Sequence, residues 1–147
     1  MGTIARTSSL NGAVEYLEEE TDLFIKTFVS ERFAINILSD YHRINKKNIR
    51  HLTAEKGNSK IDLMLNNKTY DVKYSNPTLT NSSRTTLVWD FDIRGKKDYC
   101  DFLLLIGMIK GRPLKVFLVP GLNIPAHHVR ISINGESKYH KYLIWSK

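Results

Sequence analysis

The sequence predicts a mixed α/β or α+β domain in which helices come first and a mixed sheet follows. Apolar residues recur at helical spacing from Asn11 to Leu38, and from about residue 48 the period changes to two. The most apolar stretch, Phe102 to Met108, has the length of a strand and is far too short to span a membrane. Helical pattern first and alternating pattern afterwards is the signature of that class. At 147 residues the chain fits one domain, 1–147, long enough to bury a core without staples.

The elements follow in order. Residues 1–10 are small and polar and are expected to be flexible. Val14 and Leu17 open a first short helix, and Asp22 caps a second from Leu23 to Leu38. That helix places Phe24, Ile25, Phe28, Ala34, Ile35 and Leu38 along one side. A basic turn, Tyr41 to Lys47, leads to a possible strand over Asn48 to Ala54. Better strands follow at Lys60 to Leu65 and Thr69 to Ser75. They are joined through Asn66-Asn67-Lys68, whose asparagines tolerate the positive φ of a tight hairpin. Residues 76–84 (NPTLTNSSR) read as a loop. Further strands are expected at Thr85 to Ile93, Asp101 to Ile109 and Leu114 to Val119, then a short one at Val129 to Ile133. Tyr139 to Trp145 is ambiguous.

Composition narrows the function classes. A surplus of 22 Lys and Arg over 15 Asp and Glu gives +7, a charge suited to a polyanionic partner. The lone Cys100 leaves no intrachain disulfide and no cysteine-based zinc site. His127-His128 would point to opposite sides of a strand and have no acidic neighbour in sequence, which disfavours zinc there. Met1 to Leu10 lacks the apolar run of a signal peptide. A soluble, cytoplasmic protein with no membrane partner is therefore expected.

The stretch that carries chemistry is Lys60-Ile-Asp-Leu-Met-Leu-Asn-Asn-Lys-Thr-Tyr-Asp-Val-Lys73. Strand alternation puts Asp71 and Lys73 on one face and Tyr70, Val72 and Tyr74 on the other. The apolar row Ile61, Leu63 and Leu65 directs Asp62 the opposite way. If the hairpin closes, Asp62 lies beside Asp71 and Lys73. The competing reading is a solvated strand face with a cross-strand ion pair, but the apolar row fixes the orientation against it. Two converging carboxylates suit a hard cation such as Mg²⁺, with Mn²⁺ as a substitute. Such an ion stabilises charge on a phosphate and acidifies a water, and Lys73 is placed to orient or deprotonate that water or to stabilise the developing charge.

The pattern Glu31, Ala34 and Leu38 on a helix, then Ile61-Asp62-Leu63, a hairpin and Asp71-Val72-Lys73, resembles the PD-(D/E)xK nucleases. Trp89-Asp-Phe91, Cys100 to Ile106 and Lys115 to Pro120 look like the tail of small members, among them homing endonucleases and phage or archaeal resolvases. The resemblance spans about residues 31–120. It implies a restriction-endonuclease-like αβββαβ core, a central mixed sheet flanked by helices, and a metal-dependent endodeoxyribonuclease. It also implies that Asp62 and Asp71 bind metal, Lys73 is the catalytic lysine and Glu31 supports the metal or its water. The chain departs from the pattern in carrying Ile61 where Pro is frequent and Asp71 where Glu is frequent.

In a nuclease the basic clusters become phosphate contacts: Arg43, Lys46, Lys47 and Arg50, then Arg94, Lys96 and Lys97, with Arg84 reaching a groove from the loop. One such site cuts one strand, so a double-strand break calls for a homodimer or higher oligomer on double-stranded or branched DNA. The alternatives are a Holliday-junction resolvase and a non-catalytic nucleic-acid-binding domain of the same fold. Trp89 and Phe91 share a strand face and read as core rather than as a base-stacking platform. Asp101 reads equally as structural or as a neighbour of the site.

Overall fold

The computed structural model describes residues 29–56, 59, 61–79, 86–93, 100–125, 127–134 and 137–147. The expected first helix and the start of the second, Leu23 to Phe28, lie outside the described residues.

Residues 29–42 form helix α1, which runs past the end expected at Leu38. Its stop is a left-handed cap without glycine. Arg43 adopts φ 55°, and the Ile44 N–H donates back to the Ser39 carbonyl at 3.0 Å. The Ser39 hydroxyl donates to the Ile44 carbonyl at 2.6 Å and closes the turn. A 3-10 turn, Lys46–Asn48, follows under an Asn45 cap whose side chain accepts from the Lys47 N–H.

The strand expected over Asn48 to Ala54 is corrected to two short pieces. Only Arg50–His51 (β1) is extended, and Leu52–Glu55 (α2) turns away as a single helical turn. Pairing stops there because the Lys56 N–H bonds back to the Leu52 carbonyl at 2.8 Å instead of extending the ladder.

Leu63–Leu65 (β2) and Lys68–Ser75 (β3) form the expected hairpin. Leu65 pairs with Lys68, and Asn66 and Asn67 sit at φ 51° and 64°. Two consecutive left-handed residues make the turn whose twist suits a two-residue hairpin. Lys68 therefore belongs to the strand, not the turn. Residues 77–79, expected as loop, are instead a strand, Pro77–Leu79 (β4). Proline at the first position of an edge strand removes no ladder bond, which is why its composition hid it.

The remaining strands are Leu87–Asp92 (β5), Phe102–Ile109 (β6), Arg112–Pro120 (β7), His128–Ser132 (β8) and Leu143–Ser146 (β9). The ambiguous tail thus resolves into a 3-10 turn, His140–Tyr142, and an edge strand. One sheet has the order β1-β2-β3-β6-β7-β9 and the other β4-β5-β8. Within the larger sheet β3 and β6 are parallel, with Asp71 opposite Leu103 and Lys73 opposite Leu105. The other pairs are antiparallel. β6 is apolar nearly throughout because both of its faces are covered.

Alternation divides the core in two. Leu63, Leu65, Tyr70, Val72, Leu104, Ile106 and Val116 pack under Ala34, Ile37 and Leu38 of α1. Leu103, Leu105, Phe117 and Val119 face the second sheet through Trp89, Phe91, Val129 and Ile131. Each fully buried Leu or Ile contributes roughly 1.5–3 kcal/mol. Trp89 is core, as its strand position predicts. It lies flat against Gly107, where an added Cβ would come within 2.5 Å of the indole, and its Nε1 donates to the Met108 carbonyl at 2.9 Å.

The chain is therefore mixed α/β with a strand-rich mixed sheet. Among the described residues α1 covers one face of the larger sheet and the β4-β5-β8 sheet covers the other. The described residues between β3 and β6 are strands, not the helix that the αβββαβ order calls for. Among the described residues no helix is long and apolar enough to cross a membrane.

Candidate active site

β3 is longer than the strand beside it. β2 begins at Leu63, opposite Tyr70, so among the described residues no strand pairs with Asp71–Ser75 on that side. The Tyr70 carbonyl accepts from the Asp62 N–H at 3.2 Å, so the even-numbered residues of β3 direct their backbone toward β2. Val72 is the next to do so. No β2 carbonyl meets its N–H; the Asp62 side chain does, accepting it on Oδ2 at 2.7 Å. Asp62 thus stands where the ladder ends, opposite Asp71 in register, and its carboxylate fills the gap left by a strand.

Asp71 is 1% exposed, and Lys73, two residues on and on the same face, reaches it with Nζ 3.9 Å from Oδ2. The lysine side chain is 34% exposed, so it bridges the buried carboxylate and solvent. The third acid comes from α1. Glu31 is 1% exposed, and its Oε1 accepts from His51 Nε2 and Thr53 Oγ1. Its Oε2 is buried and has no hydrogen-bond partner among the described residues.

The three acids meet at Asp62, whose carboxyl feels both Glu31 and Asp71. Burial pushes the Asp62 carboxyl above the ordinary aspartate range; the Val72 N–H opposes this, and the Glu31 charge adds to it. The structure therefore brings together all four residues expected at the site: Glu31, Asp62, Asp71 and Lys73. It adds His51 and Thr53, which sequence reasoning missed. They fall in a stretch that reads as an ordinary alternating strand, and no local pattern marks their contact with a residue 20 and 22 positions upstream.

Carboxylates are the donors that a hard divalent cation takes. Among the described residues no three His, Cys, Asp or Glu are disposed to enclose an ion by themselves. Mg²⁺ does not require that, because it keeps several waters and binds through one or two carboxylates. A cation would relieve both the uncovered Glu31 oxygen and the Glu31 charge that helps raise the Asp62 carboxyl.

The basic residues are placed elsewhere. Arg43, Lys46, Lys47 and Arg50 are exposed. Arg43 follows the C-terminal end of α1, roughly 16 Å of helix from Glu31. There His42 and Ile44 join Leu65, Asn66, Lys68, Tyr70 and Phe102 around a cavity of about 370 Å³ at the hairpin end of the sheet. Arg50 is held by Glu55, with Nη2 2.7 Å from Oε1 and Nε 3.3 Å from Oε2. Arg84, Arg94, Lys96 and Lys97 lie outside the described residues.

Two undecided residues find partners. Asp101 pins the start of β3: its Oδ2 accepts from the Thr69 N–H at 2.9 Å and from the Thr69 hydroxyl at 3.1 Å. Its own N–H donates to the Thr69 carbonyl at 3.0 Å. Those donations from Thr69 hold the Asp101 carboxyl below the ordinary aspartate range. His128 does have an acidic neighbour, across the sheet, where its Nδ1 lies 2.8 Å from Asp90 Oδ1. Arg130 Nε donates to the other oxygen of Asp90 at 3.2 Å, so this acid is committed to an ion-pair cluster on the second sheet.

No family model matches the sequence, and neither a curated protein nor a solved structure matches the chain.

Proposed function

We propose that the chain is a Mg²⁺-dependent endonuclease that hydrolyses DNA phosphodiester bonds, on a core of the restriction-endonuclease-like kind. One observation carries the reading. Buried Glu31 and Asp71 meet the half-buried Asp62 where β2 ends, with one Glu31 oxygen unpartnered among the described residues and Lys73 at the solvent side. The net charge of +7 supports a polyanionic substrate.

In this reading Asp62 and Asp71 hold the ion and Glu31 supports it or its water. When bound, the ion neutralises charge on the phosphate and makes a coordinated water more acidic. Lys73, tethered by Asp71 and half-open to solvent, donates to a non-bridging phosphate oxygen or orients the attacking water. The Val72 N–H keeps the Asp62 carboxylate turned into the notch. Hydrolysis forms one P–O bond from the water oxygen and breaks the P–O bond to the leaving oxygen. The water proton passes to solvent, and the leaving oxygen is reprotonated.

A single notch of this kind cuts one strand at a time, so a double-strand break requires a homodimer or higher oligomer. The test is incubation with supercoiled plasmid and with four-way junctions, in Mg²⁺ and in EDTA. Metal-dependent cutting of linear or plasmid DNA supports the homing- or restriction-like form. Selective cutting of junctions supports a resolvase. DNA binding with no metal-dependent cutting of either substrate, or of a randomised duplex library, points to a non-catalytic DNA-binding domain.

A further inference from the structure

We infer that His51 and Thr53 are positioning residues that hold one oxygen of Glu31 so that the other faces the Asp62–Asp71 notch. The inference rests on the nuclease reading for the identity of the cation.

The geometry is built by one short segment. His51 pairs with Leu63, the residue directly after Asp62, and the Leu52 N–H donates to the Asp62 carbonyl at 2.8 Å. Residues 51–53 therefore grip the backbone of one acid and the side chain of another. That fixes the spacing between Glu31 and Asp62, which come from α1 and from the mouth of β2 and have no covalent reason to meet. With Glu31 ionised, the His51 ring N–H and the Thr53 hydroxyl both donate to Oε1 and saturate it.

A carboxylate buried for stability alone has both oxygens covered, because an uncovered one pays desolvation without return. Glu31 does not fit that description. Its Oε2 is buried and has no hydrogen-bond partner among the described residues, while its carboxylate lies close enough to Asp62 to act on it. Saturating Oε1 removes the choice of which oxygen turns inward. This is the arrangement by which an outer hydrogen bond orients a ligand, and such partners typically change metal affinity 10–100-fold when lost.

The test uses His51→Ala, Thr53→Val and, as the conservative rescue, His51→Gln, which retains an N–H donor on a side chain of similar reach. Two midpoints are read: the Mn²⁺ concentration that raises Tm without DNA, and the Mg²⁺ concentration for half-maximal cleavage. Tm in EDTA reports folding, and DNA affinity in EDTA serves as the control. His51→Ala is expected to raise both midpoints by about 10-fold or more, Thr53→Val by a few-fold, and His51→Gln to recover most of the loss. DNA affinity in EDTA stays within about twofold.

If His51→Ala does not fold, Thr53→Val and His51→Gln carry the comparison. Folded variants with wild-type midpoints, beside a wild type that does respond to metal, overturn the positioning role alone. A wild type that binds DNA but shows no response to Mn²⁺ or Mg²⁺ overturns the nuclease reading and this inference together.

Discussion

The two ends of β3 treat carboxylates in opposite ways. At the hairpin end Asp101 is exposed, yet its Oδ2 takes two donors from Thr69 and its carboxyl is held below the ordinary range. At the other end Asp62 is half-buried beside Glu31 and Asp71, and its carboxyl is pushed up. The first acid is finished: it ties β3 to β6 and asks for nothing more. The second group is unfinished: one Glu31 oxygen has no hydrogen-bond partner among the described residues. Burial alone does not separate an acid already tied to its neighbours from one that is not. What separates them is whether the protein has already supplied the partners.

The widest expected contrast is in activity. Asp71→Ala and Lys73→Ala should each cut cleavage by about 10³-fold or more, since loss of several kcal/mol of charge stabilisation has that size. Asp101→Ala should leave cleavage within a few-fold of wild type. Single-turnover rates on one DNA substrate, measured on all three variants, check both statements. An Asp101 variant as inactive as the Asp71 variant would erase the distinction between the two ends.

Stability should show the reverse order. Asp101→Ala removes the acceptor for the two Thr69 donors and should lower stability by about 1 kcal/mol, at the low end because the carboxylate faces water. Asp62→Asn removes a buried charge while keeping an oxygen for the Val72 N–H, and should raise the stability of the metal-free protein by roughly 0.5–2 kcal/mol. Chemical denaturation in EDTA measures both.

The pH dependence of those two effects sharpens the comparison further. The raised carboxyl of Asp62 contributes stability that is complete below the ordinary aspartate range and lost as pH rises through its folded value. Asp62→Asn should therefore gain Tm at neutral pH and nothing in strong acid. The lowered carboxyl of Asp101 contributes stability that is present above the ordinary range and lost as pH falls through its folded value. Asp101→Asn should lose Tm at neutral pH and nothing in strong acid. Tm curves of the two variants that bend the same way would contradict the assignment of causes.

The smallest effect belongs to the turn. Asn67 holds φ 64°, so Asn67→Gly should be neutral to stabilising by about 0.5 kcal/mol, with cleavage unchanged.

Much of this site was legible because it obeys period two. Asp62, Asp71 and Lys73 fall on one face by alternation, and the Asn66-Asn67 turn fixes which residues of β2 and β3 meet. Glu31 entered through the resemblance, and its burial depends on how α1 packs on the sheet. The grip of His51 and Thr53 on it is tertiary and leaves no local trace. β4 was hidden by its Pro and Thr content, and the end of α1 by a left-handed arginine where a glycine would have announced it. The second sheet was invisible as a separate layer, because each of its strands reads like those of the first.

The central claim is that the open end of β3, and not its hairpin end, is a divalent-cation site. Calorimetric titration of Mn²⁺ into the wild type, Asp71→Asn and Asp101→Asn, all without DNA, tests it most directly. Binding by the wild type and Asp101→Asn, lost in Asp71→Asn, is the result the account predicts. Equal binding by all three proteins, or none by the wild type, would contradict it.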